Sequence, residues 1–181
     1  CTLREGDALI GVGMSKGNDD VLLGTKTGIS IRFNESDVRA MGRSATGVRG
    51  INLEDNDQVV GMTIVPEGTG VEGSMERMLL TVCENGYGKR TSIGDYRTQG
   101  RGGKGIIDIQ TEDRNGPVVS VCAVTDDSEL MLITTSGKVI RFKAKDLSVI
   151  GRNTKGVRLI DLDPGEKVAA VAHLAEDESE G

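Results

Sequence analysis

The chain has 181 residues, 36% of them hydrophobic, yet only two Phe, two Tyr and no Trp. Its core must be aliphatic, and so few aromatics argue against the stacking platforms that single-strand and RNA binders use. Gly is abundant at 26 residues against three Pro, and the net charge of −6 looks wrong for a nucleic-acid partner until the charges are located.

Taken in chain order, the opening segment Gly6-Asp7-Ala8-Leu9-Ile10-Gly11 is similar to Asn56-Asp57-Gln58-Val59-Val60-Gly61. Residues 1–14 therefore read as the tail of a unit whose beginning is missing. The start at Cys1, without an initiator Met, reads as that of a fragment. Val21-Leu22-Leu23, a turn at Lys26-Thr27-Gly28, and Ile29-Ser30-Ile31-Arg32-Phe33 predict a hairpin. Its second arm alternates, with Ile31 and Phe33 on one face and Arg32 on the other. Ile51 and Leu53 predict the start of a third strand, and Val59 to Val65 a fourth. The pattern then recurs over 78–124 and 130–174, and the chain ends in an acidic stretch, 175–181, read as a disordered tail that either solubilises the chain or competes with a polyanion for the basic residues.

The recurrence is regular. Gly28, Gly86 and Gly137 are spaced by 58 and 51 residues, and the extra seven fit an insertion near Glu67 to Ser74. Glycine recurs at Gly42, Gly100 and Gly151, and again at Gly47, Gly105 and Gly156. Arginine recurs at Arg32, Arg90 and Arg141, and at Arg43, Arg101 and Arg152. Ile51, Ile109 and Ile160 share one position, predicted to be buried. Four short strands per unit of about 45 to 50 residues mean a blade, and repeated blades mean an all-β, propeller-like fold. The Gly-rich segments after the second strand are predicted to be outer loops.

Charge follows the repeat. Residues 26–49 hold five Lys/Arg and two Asp/Glu, residues 86–105 hold five and one, and residues 137–158 hold seven and one. The remaining 115 residues hold only five basic and 24 acidic side chains. One stripe per blade is thus strongly positive. A curved positive edge suits a bent polyanion, because each phosphate contact releases counterions. The residues expected to meet DNA are Arg32, Arg43, Arg49, Lys89, Arg90, Arg101, Lys104, Lys138, Arg141, Arg152, Lys155 and Arg158. Solvated surface charge is the plainer alternative, weakened by the agreement of three repeats.

Other chemistry is scarce. Cys1, Cys83 and Cys122 are too scattered for a disulfide framework or a zinc site; Cys83 and Cys122, in apolar strand-like runs, read as buried free thiols, which fits a reducing cytoplasm. His173 is the sole histidine, read as a strand-surface residue, so His-based metal clusters and catalytic triads are excluded. Tyr87 and Tyr96 read as packing or rim residues. No apolar run approaches the ~20 residues of a membrane span, and no secretory signal is present. Gly100, Gly102 and Gly105 match G-x-G-x-x-G, but without the strand-then-helix context that a dinucleotide site needs.

The segment Gln99-Gly100-Arg101-Gly102-Gly103-Lys104-Gly105 resembles the gyrase A box, Q-R/K-R-G-G-R/K-G, departing where Gly100 replaces a basic residue. Val38-Arg39-Ala40-Met41-Gly42, Thr46-Gly47-Val48-Arg49-Gly50-Ile51, Asn85-Gly86-Tyr87-Gly88-Lys89-Arg90-Thr91 and Val149-Ile150-Gly151-Arg152-Asn153-Thr154-Lys155-Gly156-Val157 are also similar to the C-terminal domain of the DNA gyrase A family. The resemblance implies a six-bladed β-pinwheel whose blades exchange strands, with about three full blades and part of another present here. It implies duplex DNA wrapped on a basic rim in support of ATP-dependent negative supercoiling by a type IIA topoisomerase. It implies partners in double-stranded DNA, the remainder of gyrase A, and gyrase B, in the cytoplasm beside the nucleoid and without a membrane. Catalytic residues, metal and cofactors are expected only elsewhere, with ATP and Mg²⁺ in the rest of the holoenzyme. The family's box lies in blade one, so residues 99–105 are either a second box-like loop or this blade's form of a shared turn; the recurrence at Gly151 to Gly156 favours the turn. The DNA-deflecting domain of topoisomerase IV and a protein-binding propeller are the competing readings. The box-like loop disfavours the first, and the scarcity of exposed anchors disfavours the second.

Overall fold

The computed structural model describes residues 2–71, 76–112 and 114–174. Cys1, the end of the 67–74 insertion and the acidic tail lie outside them. The described residues are built from eleven strands and three single 3₁₀ turns. The strands are β1 Asp20–Thr25, β2 Ile29–Asn34, β3 Val59–Val65, β4 Met78–Cys83, β5 Tyr87–Ser92, β6 Ile106–Ile107, β7 Val118–Val124, β8 Glu129–Thr134, β9 Val139–Lys143, β10 Val157–Arg158 and β11 Val168–His173.

Each unit begins with an antiparallel hairpin closed at a glycine of the repeat. Gly28, Gly86 and Gly137 have φ of 85°, 82° and 84°, which a side chain would strain. The hairpins share one register, with Leu22 opposite Arg32, Leu80 opposite Arg90 and Met131 opposite Arg141. A 3₁₀ turn follows each second arm, at Glu35–Asp37, Ile93–Asp95 and Ala144–Asp146. The last strand of each unit returns beside the first arm.

Strand order is β3-β1-β2-β6 in the first sheet, β10-β5-β4-β7 in the second and β11-β8-β9 in the third. The two-residue strands β6 and β10 are therefore donated backward: β6 leaves the second unit to pair with β2, and β10 leaves the third to pair with β5. This corrects the expected third strand. It starts at Ile106 and Val157, three residues before the positions equivalent to Ile51, and it completes the preceding blade. In the third blade β9 has one strand neighbour, β8.

β3, β7 and β11 pack in succession and form the hub, so the donated strands and the Gly-rich loops before them occupy the rim. Two apolar cores fill the spaces between blades. Leu22, Val65, Leu79, Ile109 and Val121 belong to the first, and Leu80, Val82, Leu130, Leu132 and Ile160 to the second. β4 faces both, so all six of its residues are buried, whereas β8 alternates half-buried and buried residues. Ile51, Ile109 and Ile160 are all buried, as their shared position predicts. Ala8 to Met14, the expected tail of a further unit, is exposed and forms no strand.

Candidate nucleic-acid interface

The alternation that separates Arg32 from Ile31 and Phe33 is real, but the face it assigns to arginine is covered by the next blade. Arg32 pairs with Asp20 at 2.7 Å and reaches across to the carbonyls of Thr69, Ile93 and Tyr96. Arg90 repeats the arrangement one blade on, donating to the carbonyls of Leu147 and Lys145 and to the Asp126 carboxylate. Both use a planar fork of donors to satisfy several carbonyls of the adjoining 3₁₀ segment. The expected outward placement of Arg32, Lys89 and Arg90 is thus corrected: Arg90 is 7% exposed and Lys89 0%. Arg141, at the same position beside the incomplete third blade, is 64% exposed at its side chain and pairs with Glu129 of its own hairpin.

The loop arginines fasten the interface from the opposite side. Arg101 donates to the carbonyls of Asp37 and Arg49, and Arg152 donates to that of Ile107, the residue equivalent to Arg49. Backbone bonds follow the same register: Gln99 N–H to Arg32 and Gly102 N–H to Gly50 recur as Ile150 N–H to Arg90 and Asn153 N–H to Asp108. Gly105 and Gly156 open the donated strands with φ of 76° and 64°. A Cβ on Gly105 would lie 2.6 Å from the Ser30 carbonyl oxygen, and one on Gly156 would collide with that of Gly88. The segment Gln99–Gly105 is therefore laid across the first blade as 150–156 is across the second.

Arg43, Arg49, Lys104, Lys138, Arg141, Lys155 and Arg158 are exposed, and Arg101 and Arg152 half-exposed. Several are internally neutralised. Lys138 pairs with Asp163 and Glu166, Lys155 with Glu112, and Arg158 with Asp161. Among the described residues, exposed Arg4, Lys16, Lys26, Arg39, Arg43, Arg49, Arg97, Lys104, Arg114 and Lys145 have no acidic partner within ion-pair distance, and of these Arg39, Arg43, Arg49, Arg97 and Lys104 lie in the Gly-rich loops. The sequence pattern does not single out Arg39, Arg97 and Lys145 in advance. Arg39 and Arg97 share a repeat position, and that recurrence is the signal that could have found them. Arg114 is a further addition; its guanidinium stacks 4.4 Å from the Tyr87 ring centroid, with Arg158 beyond it at 5.6 Å. His173 lies exposed in β11.

A second unforeseen cluster lies inside the middle blade. The Asp108 carboxylate accepts from Tyr96 Oη at 2.5 Å and Thr81 Oγ1 at 2.6 Å, and lies 3.4 Å from Lys89 Nζ. Burial pushes the Lys89 ammonium pKa down, opposed by the Asp108 charge. Burial, with Asp108, raises the Tyr96 phenol above its ordinary range. Cys83 and Cys122 are free, and burial pushes their thiols up to about 12 and about 11, which leaves them unreactive. No cluster of three or more metal-ligating side chains occurs among the described residues. No helix there is long and apolar enough to cross a membrane.

Comparison with known proteins adds a family to this geometry. A family model described as DNA gyrase C-terminal domain, beta-propeller, matches residues 19–66, 77–122 and 128–174. The DNA gyrase A protein of Ureaplasma parvum serovar 3 is 48% identical over 171 residues, covering 94% of this chain and 19% of that protein. The DNA gyrase A protein of Klebsiella oxytoca is 46% identical over 174 residues, covering 96% of this chain and 19% of that protein. The chain thus spans about a fifth of the length of these relatives. A solved DNA gyrase A C-terminal domain superposes with a TM-score of 0.83 at 28% identity, over 96% of this chain and 57% of that one. The C-terminal domain of DNA topoisomerase IV superposes with the same TM-score of 0.83 at 19% identity, over 95% and 52%, and shares the fold. Three matched repeats, close sequence likeness and a superposable fold together mean that this chain belongs to the DNA gyrase A family, within its C-terminal β-propeller domain.

Proposed function

We propose that this chain is a non-catalytic duplex-wrapping module, holding DNA on its rim while the rest of gyrase A, with gyrase B, ATP and Mg²⁺, supplies strand passage and negative supercoiling. Its working units are taken to be the blades 21–65, 78–124 and 130–174. The observation that carries the reading is the placement of cations without acidic partners. Arg39, Arg43, Arg97 and Lys104 lie in the Gly-rich loops of the rim and Lys145 in the 3₁₀ turn of the third hairpin, while Arg32, Arg90, Arg101 and Arg152 are used between blades. A rim of this kind contacts phosphates and reads DNA through its capacity to bend. Blades that present cations at one radius favour a curved path over a straight one.

The test is duplex binding measured against salt with a fragment of about 100 base pairs, long enough to span several phosphate contacts per blade. Replacing Arg39, Arg43, Arg97, Lys104 and Lys145 by Ala should weaken binding on all sequences alike. It should also flatten the salt dependence by roughly one unit of slope for each phosphate no longer neutralised. An unchanged slope would remove the rim from the mechanism. A topology assay on the same complexes reads wrapping, which leaves a fixed positive crossing, against simple deflection.

A further inference from the structure

Lys89 lies fully buried in the middle blade with its ammonium inside hydrogen-bonding distance of two carbonyl oxygens, Asp108 at 2.7 Å and Gly151 at 2.9 Å. Burying an ammonium is costly unless every donor is used and a counter-charge is near. Asp108 provides the charge, and Tyr96 and Thr81 complete the carboxylate's bonds. The equivalent positions in the other blades show that the fold does not need this set. Where the middle blade has Thr81, Lys89, Tyr96 and Asp108, the first has Leu23, Ile31, Val38 and Gly50, and the third has Leu132, Ile140, Leu147 and Leu159. The first blade, without these polar side chains, has the same four-strand order as the middle one.

The polar set does what an apolar filling cannot: it reaches out of its own blade. Gly151 begins the rim turn that the third unit lays across the second. Further bonds hold that turn, among them those of Gln110 N–H to the Thr154 carbonyl and of Asn115 Nδ2 and Arg114 to the Lys155 carbonyl. Thr91 Oγ1 donates to the Ile150 carbonyl at 2.6 Å, Asn153 N–H to the Asp108 carbonyl at 2.7 Å, and Gln110 Nε2 to Asn153 Oδ1 at 3.0 Å. The Asp108 carbonyl therefore accepts from both Lys89 and Asn153, which joins the buried ammonium to both ends of one short segment. Beneath the 99–105 turn the equivalents of Lys89 and Thr91 are Ile31 and Phe33, which have nothing to donate.

We propose that Lys89 is a positioning residue for the rim turn 151–156, fixing through the Gly151 and Asp108 carbonyls the segment from which Arg152 fastens the third unit to the second, and so the shape of the rim there. This rests on the wrapping reading for its purpose but not for its geometry. The turn is held from within the blade by side-chain donors, while the 99–105 turn lies on an apolar seat and is held only by backbone bonds and by Arg101.

Amide hydrogen exchange in the full chain tests it, comparing the wild type with T81V/K89I/Y96F/D108L, which gives the middle blade an apolar filling like that of its neighbours. The amides of 150–156 should exchange about tenfold faster or more, as when local opening no longer breaks a charge-assisted hydrogen bond. Those of 99–105 should not change. If the fourfold variant does not fold, K89M/D108N reads the same amides with near-isosteric side chains. Unchanged exchange at 150–156 in a folded variant overturns the proposal and leaves the network as mere filling. Duplex affinity measured alongside separates the two ideas: faster exchange with unaltered affinity and salt slope supports the positioning role and removes this turn from the DNA interface.

Discussion

Arg90 and Arg141 occupy one position of the repeat, opposite Leu80 and Met131 in identical hairpins. Arg90 is held among the carbonyls of Leu147 and Lys145 and the Asp126 carboxylate, and Arg141 is exposed beside Glu129. Removing the buried Arg90 guanidinium strands the Leu147 and Lys145 carbonyls, while its carboxylate partner Asp126 is exposed, so Arg90→Met should cost about 1–3 kcal/mol. Arg141→Met should cost less than about 1 kcal/mol, as exposed pairs do. Urea denaturation of the two variants measures the difference, and equal losses would deny the clamp. Glu166 offers a pH handle. Bonds from the Ser136 and Thr134 hydroxyls, then the Asp163 N–H and Lys138, lower its carboxyl from an ordinary 4.5 to about 2. The folded chain binds the ionised form, so the stabilisation is complete above about 4.5 and is lost as pH falls toward about 2. Acid titrations of stability should therefore fall less steeply through that window in Glu166→Gln than in the wild type.

At the level of the element, the donated strands are short because their work is done by what flanks them. β10 makes only two residue pairs with β5, yet Gly156 lets it start against the Gly88 backbone and Arg152 ties its approach to Ile107. Gly156→Ala combines a positive φ with a backbone collision and should destabilise by about 1–3 kcal/mol or more. The same change at Gly47, whose Cβ would meet nothing within 4 Å, involves only the φ of 81° and should cost less. Thermal unfolding of both variants is the check. Ile51, Ile109 and Ile160 close the blades just beyond these strands, and truncation of each to Ala should cost about 2–5 kcal/mol. The uniform burial of β4 against the alternation of β8 shows what a neighbouring blade does to a strand that is otherwise the same.

For the molecule as a whole, the net charge of −6 conceals two populations of basic side chain. Apart from exposed cations already paired with carboxylates, one joins blade to blade and the other is exposed without an acidic partner. The two should separate by experiment. Arg32 and Arg90 variants should lower the unfolding midpoint and leave the salt slope of the folded fraction intact. Arg39, Arg43, Arg97, Lys104 and Lys145 variants should flatten that slope by about one unit per phosphate released and leave stability within about 0.5 kcal/mol. Were the clamp variants to change the slope as strongly as the rim variants, the division would collapse.

The sequence by itself determined the repeat, its glycine turns, the hairpins and the buried isoleucine position. These depend on local backbone geometry and strand alternation, which each unit states in its own residues. It also showed that basic residues cluster at 26–49, 86–105 and 137–158, but not which of them face solvent. Tertiary structure alone decided which sheet each donated strand joins, since Ile106 and Val157 find their partners in another unit. It alone decided that Arg32, Lys89 and Arg90 are internal, because alternation tells the two faces of a strand apart without telling what lies against either. The Lys89–Asp108–Tyr96–Thr81 network was equally hidden. Its four residues span 28 positions of the chain, and only packing brings them to one point. Burial is a property of the neighbour as much as of the residue, and in a strand-exchanging repeat the neighbour is always another unit.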